Sequence, residues 1–383
     1  MIHQLLDYET LRLIWWALLG LLLIGFAIMD GFDMGVAILL PFTAKNDHER
    51  RVAINCIAPV WEGNQVWFIL GGGAIFAAWP LVYAAAFSGL YGAMFLVLIA
   101  MILRPVGMKF RSKMPSPIWR SLWDWCLFLG GLIPSLVFGI VLGNILQGVP
   151  FHFDDSLRSF YTGNFFDLFT PFPLICGSLS VCLFTMHGAS YLVLKTNDPI
   201  ASRAKMIGVR AALFTMIFFT MGWLWLKSDW VPGYRILEMA GTTAPSNPLA
   251  KSVIQETGAW FNNYRIYPWT WFAPFMGYGG ASLTALLLLK KCPGKAFIAS
   301  AFAQFGVIAT AGLSLFPFIL PSSSHPNSSL TVWDASSSHM TLFLMLVSTV
   351  IFLPLIIIYT TWVFRVMRGK VTENDVLTNS QMY

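Results

Sequence analysis

The chain has 383 residues, of which 57% are hydrophobic and only 11% are charged. A soluble domain carries about 25% charged residues, and a mean hydropathy of +0.67 likewise excludes an ordinary soluble fold. The composition predicts an all-α, polytopic membrane protein, with residues 1–383 as a single integral membrane domain. The net charge of +6 does not indicate a nucleic-acid partner, because the basic residues lie in short connections between apolar segments, as membrane topology requires.

Nine segments are long and apolar enough to cross a bilayer, which takes about 20 residues at 1.5 Å each. The second segment contains Glu62, Asn64 and Gln65, so a count that uses hydropathy alone would miss it. The predicted spans are 11–42, 53–76, 80–108, 120–146, 165–194, 202–226, 266–289, 296–320 and 338–364.

The basic residues are distributed unequally between the two sides of these nine spans. If the N-terminus is outside, 18 of the 24 Lys and Arg residues fall on the inner side. Inner connections of membrane proteins carry such an excess, so we predict a periplasmic N-terminus and a cytoplasmic C-terminus. Among the outer connections, the serine-rich stretch 321–339 has two open interpretations, a flexible linker or an ordered cap.

Two carboxylates, Asp30 and Asp33, lie inside the first apolar segment, in the stretch "IMDGFDMGV". They are three residues apart and therefore share a helix face. Gly31 and Gly35 form a small-xxx-small pair that allows close approach of another helix, and we expect that helix to be the second span. One charge at the centre of a bilayer costs about 2.5–3.5 kcal/mol on insertion scales, so these acids should face protein.

The depth of the acids predicts a common level for Asp33 and Glu62. Each lies about 14 Å from the inner boundary of its span, at 1.5 Å per residue. Neighbouring carboxylates can hold and release a proton near neutral pH, which predicts a proton path that opens to the cytoplasm. The alternative is structural pairing, in which Asp30 or Glu62 simply satisfies Arg104. The candidate path residues are Asp30, Asp33, Glu62, Asn64, Gln65 and Arg104.

Haem or metal ligands are not legible in the sequence. His187 in the fifth predicted span is a conceivable haem ligand, but a lone histidine near a helix end is more often hydrogen-bonded. No two membrane histidines face one another to hold a b-type haem, and the five cysteines have neither CxxC nor zinc spacing.

Long motifs along the whole chain resemble subunit II of the cytochrome bd quinol oxidases. They include "WEGNQVW" (61–67), "DGFDMGV" (30–36), "AAWPLVYAAAFSGLY" (77–91) and "RPVGMKFRSK" (104–113). The resemblance continues through "GNILQGVPF" (143–151) and "SLTVWDASSS" (329–338). Motifs of this length are far more specific than a short glycine pattern.

The resemblance implies a fold of two four-helix bundles plus a peripheral helix, which agrees with nine spans. It implies an enzyme of the bacterial cytoplasmic (inner) membrane that oxidises quinol, reduces dioxygen to water and builds a proton gradient. The b-type and d-type haems would belong to the larger partner, subunit I. A bound quinone, surrounding lipid and a small single-helix accessory subunit are further implied partners of this structural and conduit subunit.

The resemblance also bears on individual residues. It implies that Asp33 and Glu62 belong to a polar path and that Trp67 lines an access route for oxygen. The family often has aspartate at position 62, so the longer side chain of Glu62 displaces the carboxylate. Two alternative functions are a secondary transporter, which should show inverted repeats, and a quinone-binding anchor of another respiratory complex, which should carry haem histidines.

Overall fold

The computed structural model describes residues 6–378, which are predominantly helical. The helices are α1 (Tyr8–Met29), α2 (Gly31–Thr43), α3 (Asp47–Ile57), α4 (Trp61–Ala78), α5 (Pro80–Gly89), α6 (Tyr91–Phe110), α7 (Pro117–Gln147), α8 (Pro171–Lys195), α9 (Ile200–Leu226), α10 (Asn262–Ile266), α11 (Phe272–Leu289), α12 (Pro293–Leu315), α13 (His339–Val366) and α14 (Glu373–Thr378). Six short strands lie in the connections, namely β1 (Phe151–Phe153), β2 (Ser159–Tyr161), β3 (Gly233–Met239), β4 (Lys251–Glu256), β5 (Phe318–Leu320) and β6 (Leu330–Thr331).

Within residues 6–378, eight helical segments are long and apolar enough to cross a membrane. The first of them, Tyr8–Thr43, is formed by α1 and α2 together. The predicted second span is not among the eight, although its outer part is the 18-residue helix α4. Glu62, Asn64 and Gln65 at the start of α4 lower its hydropathy, as the sequence analysis anticipated. The count of nine spans therefore stays a prediction.

Several predicted spans are interrupted, which the uniform apolar pattern did not reveal. The first breaks at Asp30 between α1 and α2, and the third breaks at Leu90 between α5 and α6. The second breaks around Pro59, which has no N–H to donate to a continuing helix. The predicted eighth span extends too far, because α12 ends at Leu315 and the next residues enter β5.

Three connections, α7–α8, α9–α10 and α12–α13, form a cap. Each contains one two-stranded antiparallel sheet, β1–β2, β3–β4 and β5–β6 respectively. A bridge from Val149 to Ser322 joins two of them. Arg12 of α1 is fully buried beneath the cap and donates to Ser336 Oγ over 2.8 Å and to the Thr242 carbonyl over 2.5 Å. The serine-rich stretch is thus an ordered part of the cap, the second of its two interpretations.

Helix α2 lies at the centre of the packing and contacts both α7 and α8. Helix α8 also packs on α9 and α12, and α11 packs on α12 and α9. Helix α13 contacts α1 and α4, and Leu342 is the buried residue of its 28. Leu353 and Ile356 are partly buried against the bundle, whereas much of the opposite apolar face, including Phe352 and Ile358, is exposed.

An arginine clasp fastens the end of the bundle opposite the cap. We define it as Arg50, Arg111, Arg120, Asp47 and Asp124. Arg111 donates from Nε to Asp124 over 2.5 Å and lies 2.9 Å from Asp47. Arg50 and Arg120 add contacts to the same two carboxylates at 2.7 and 2.9 Å. The clasp therefore ties α3 to the start of α7.

Candidate functional site

The site is built around a break in the first membrane segment at Asp30. The Asp30 N–H still donates to the Phe26 carbonyl over 2.9 Å, but α1 ends at Met29 and α2 starts at Gly31. The last carbonyls of a helix have no intrahelical partner, and one of them, that of Ile28, accepts a hydrogen bond from His187 Nε2 over 2.9 Å. The break thus exposes backbone polar groups to side chains from another helix.

Asp30 forms an ion pair with Arg104 of α6. Arg104 Nη2 donates to Asp30 Oδ1 over 2.7 Å, and neither side chain has any exposed surface. Gly130 of α7 makes room for the arginine, since an ideal Cβ at that position would lie 2.8 Å from Arg104 Cγ. The contact between Asp30 and Arg104 that the sequence analysis considered is therefore present, and both side chains are enclosed by protein.

Asp33 is also fully buried and has a neutral partner. Asn64 Nδ2 of α4 donates to Asp33 Oδ2 over 2.8 Å, and Asn64 is 2% exposed. Arg104 neutralises Asp30, whereas Asp33 faces an amide, so a proton on Asp33 leaves the site without net charge. Asp33 and Asn64 therefore make one of the predicted contacts between the first and second spans.

Glu62 lies elsewhere than the sequence analysis expected. Its side chain is 70% exposed and its carboxylate lies 3.7 Å from Lys109 Nζ. Asn64, which contacts Asp33, is two residues along α4, equivalent to about 3 Å of rise and a rotation of about 200°. The common level of Asp33 and Glu62 agrees with this geometry, but the expectation that they form a buried carboxylate pair is wrong. Gln65, which follows Asn64 in α4, is partly exposed.

The glycines beside the acids contact α8, and the expectation that they contact the second span is wrong. An ideal Cβ at Gly35 would lie 2.0 Å from the Phe184 carbonyl oxygen and 2.9 Å from Gly188 Cα. At Gly31 it would lie 2.9 Å from the Phe184 ring. These glycines bring the α2 and α8 backbones together, which places residues of α8 and α12 beside the acids.

Trp67 lies on α4 against α1 and is 9% exposed. Its ring occupies the space above Gly25, where an ideal Cβ would lie 2.6 Å from the indole. It belongs to a buried apolar cluster with Phe26, Met34 and Phe184. Trp67 therefore packs among apolar side chains, one of which, Met34, is next to Asp33 in the chain.

His187 does not fit the role of a haem ligand. Its Nδ1 lies 2.7 Å from Ser300 Oγ, its Nε2 is engaged by the Ile28 carbonyl, and its ring stacks on Phe297 at 4.6 Å. Both nitrogens are therefore already used, as expected for a hydrogen-bonded histidine. Among residues 6–378, no group of three or more His, Cys, Asp and Glu side chains is arranged to hold a metal ion.

Gln304 of α12 is a site residue that was not predicted from the sequence. It is fully buried, and its Nε2 would lie 3.6 Å from an ideal Cβ at Gly31. The available signal was an amide in the middle of an apolar span. Its position beside Gly31 was not predictable, because it depends on the packing of α12 against α1 and α8.

Comparison with known proteins assigns a family. The family described as cytochrome bd terminal oxidase subunit II matches residues 11–367. "Probable cytochrome oxidase subunit 2" of Haemophilus influenzae is 48% identical over 98% of this chain and 99% of its own length. "Cytochrome bd-I ubiquinol oxidase subunit 2" of Escherichia coli K12 is 46% identical over the same shares.

Structural comparison shows the same fold in a solved oxidase. The bd oxidase from Geobacillus thermodenitrificans superimposes with a TM-score of 0.69 at 20% identity, covering 93% of this chain and 98% of the other. The full-length relatives exclude the two alternatives, a secondary transporter and an anchor of another respiratory complex. The chain belongs to the family of cytochrome bd terminal oxidase subunits II, and it is a subunit of a respiratory quinol oxidase of the bacterial inner membrane.

Proposed function

We propose that this subunit conducts protons from the cytoplasmic face toward the dioxygen-reducing site of subunit I. The observation that carries this proposal is the buried cluster at the α1–α2 break, where Asp30 is paired with Arg104 and Asp33 with Asn64. Ionisable residues within membrane segments are costly, face the bundle interior and mark ion pathways and proton relays. Asp33 is the member that exchanges protons, because its own partner is uncharged.

The proposed orientation of the chain in the membrane supports proton entry from the cytoplasm. The excess of Lys and Arg on one side favours a periplasmic N-terminus and a cytoplasmic C-terminus, which puts the cap outside and the arginine clasp inside. We count α4 as the ninth span, since 18 helical residues extend about 27 Å at 1.5 Å each. The proposed arrangement is two four-helix bundles with α13 at the periphery.

The exposed face of α4 is the surface that subunit I covers. It carries Glu62, and no described residue approaches within 4 Å of an ideal Cβ at Gly63, Gly72 or Gly73. A carboxylate facing lipid would cost about 2.5–3.5 kcal/mol, whereas small residues allow a partner helix to approach closely. Glu62 then passes protons between the two subunits, with Lys109 balancing its charge.

Haems b and d are assigned to subunit I, and this chain ligates none. They supply the electron transfer and dioxygen chemistry of the oxidase. The E. coli relative is named a ubiquinol oxidase, so we propose a quinol of this class as the electron donor, oxidised near the outer face. A bound quinone and a single-helix accessory subunit complete the proposed assembly. Trp67, in its apolar cluster, is proposed to line a route for dioxygen.

The test uses Glu62→Gln in the assembled oxidase. It removes the charge at nearly constant size, and we expect slower oxygen reduction with unchanged haem content. Glu373→Gln, which changes an exposed carboxylate in α14, is the control and should keep wild-type turnover. Unchanged turnover in Glu62→Gln would reject the proton role, and loss of all haem would replace it with a role in assembly.

A further inference from the structure

Five buried polar atoms near the α1–α2 break have no hydrogen-bond partner among the described residues. They are Asp30 Oδ2, Asp33 Oδ1, Arg104 Nε, Arg104 Nη1 and Gln304 Oε1. Three of these atoms are acceptors and two are donors. Asp30 lies at the break, and the other three side chains belong to α2, α6 and α12. Buried polar groups are nearly always paired, so a concentration of this kind indicates a bridging species with both donors and acceptors.

Gln304 connects this cluster to α12. Its Nε2 donates weakly to the Leu183 carbonyl over 3.4 Å, which leaves Oε1 free. The amide and the Phe184 ring approach Gly31 together, at 3.6 and 2.9 Å from an ideal Cβ. Gly31 follows Asp30 in the chain, so the Gln304 amide lies directly beside the break.

Water is the species that fits these atoms. It donates two hydrogen bonds and accepts others, and buried waters make about three bonds to otherwise unsatisfied groups. A metal cation does not fit, because the guanidinium of Arg104 faces the same site. A dry cavity does not fit either, because empty cavities have apolar linings.

We propose that Gln304 is a positioning residue that holds internal water against Asp30, Asp33 and Arg104. This inference rests on the proposed proton path and extends it into the helix pair α8 and α12. The bound water places a transferable proton beside Asp33, and the Gln304 amide fixes its orientation without being ionised. No partner protein is needed to form the site, since all four side chains belong to this chain.

The first experiment compares Gln304→Met with Thr310→Val in the assembled oxidase. Gln304→Met removes both amide atoms at similar length. Thr310 is buried on the same helix but satisfies its hydroxyl on the Gly306 carbonyl at 2.6 Å. The readouts are haem content, turnover, and the infrared O–H bands that shift when H₂¹⁶O is replaced by H₂¹⁸O.

We expect Gln304→Met to lose at least one ¹⁸O-sensitive band and to slow turnover by less than the roughly 10²-fold of a direct proton donor. Gln304→Glu, which keeps an acceptor oxygen, should retain the band, and Thr310→Val should resemble the wild type. Wild-type bands and turnover in Gln304→Met would overturn the proposal. If Asp33→Asn left turnover unchanged while the bands followed Gln304, the water site would stand and the proton function would fail.

A second experiment needs no variant and covers the case in which Gln304→Met does not assemble. X-ray radiolysis oxidises buried side chains that touch bound water. Phe184, 4% exposed, should be labelled in the wild-type oxidase because its ring lies against Gly31 at the α1–α2 break. Phe219, 6% exposed in a separate cluster with α11 and α12 residues, should not be labelled. Equal absence of label at both residues would overturn the proposal.

Discussion

Arg104 of α6 donates a hydrogen bond to Asp30 over 2.7 Å, and both side chains are completely buried. The contact joins α6 to the break between α1 and α2. It supplies the only full positive charge that the described residues place in direct contact with either acid. The stability of the site and its electrostatics therefore depend on the same pair.

Replacing only one member of the Arg104–Asp30 ion pair should lower the stability of the protein more than replacing both. Arg104→Leu leaves Asp30 buried without a cation, and breaking such a pair costs about 3–5 kcal/mol. The double variant Arg104→Leu with Asp30→Leu should recover part of that loss. Thermal unfolding of the purified oxidase measures both, and a double variant less stable than the single would contradict the argument.

The close packing of α2 on α8 at Gly35 predicts that a larger residue at this position lowers the stability of the protein. Gly35→Ala would place a methyl group 2.0 Å from the Phe184 carbonyl oxygen, and overpacking of a rigid backbone contact typically costs about 1–3 kcal/mol or more. Gly20→Ala is the matched control, because no atom lies within 4 Å of that position. Thermal unfolding should separate the two variants, and equal stability would argue against a rigid α2–α8 contact.

The acid site shows which parts of the structure were predictable from sequence. Asp30, Asp33, Asn64 and Arg104 were identified because polar groups in apolar spans are costly. Their depths followed from residue counts along helices. The rotation of α4 was not predictable, and so Glu62 was expected inside although its side chain is 70% exposed.

Contacts between distant segments account for the remaining errors. Gly31 and Gly35 indicate close helix packing but do not specify the partner, which is α8. The breaks at Asp30 and Leu90 leave hydropathy unchanged, since a short kink need not alter composition. The full-length motifs still identified the family, because they did not depend on these details.

A pH dependence is expected at the connection between α2 and α3. Burial alone would raise the pKa of the Glu49 carboxylate, but hydrogen bonds from the Lys45 N–H and from Arg203 outweigh it, so the pKa is lowered. A lowered pKa stabilises the fold above the ordinary glutamate pKa of about 4.3, and this contribution is lost as the pH falls through the lowered value.

The test of this pH dependence is Glu49→Gln. The variant should melt below the wild type at neutral pH, and the difference should vanish under acid conditions. Glu373→Gln should match the wild type throughout. A difference between Glu49→Gln and wild type that persisted below the lowered pKa would exclude the charge as its cause.

The oxygen route predicts a kinetic signature at Trp67. Trp67→Ala empties the space above Gly25 and should change the apparent KM for dioxygen more than kcat, because access and not chemistry is altered. Trp230→Ala, at a position 79% exposed on the cap, is the control. Oxygen-dependent kinetics measure both constants, and an unchanged KM for Trp67→Ala would remove this residue from the route.

The most direct measurement of the central claim is proton uptake by Asp33→Asn after the reduced, assembled oxidase is mixed with dioxygen. Asparagine keeps the shape of the side chain but cannot carry the proton. With wild-type haem content, we expect uptake from the cytoplasmic side to slow by about 10²-fold or more, since a positioned proton-transfer group contributes about 10²–10⁴-fold. Uptake at the wild-type rate would contradict the account.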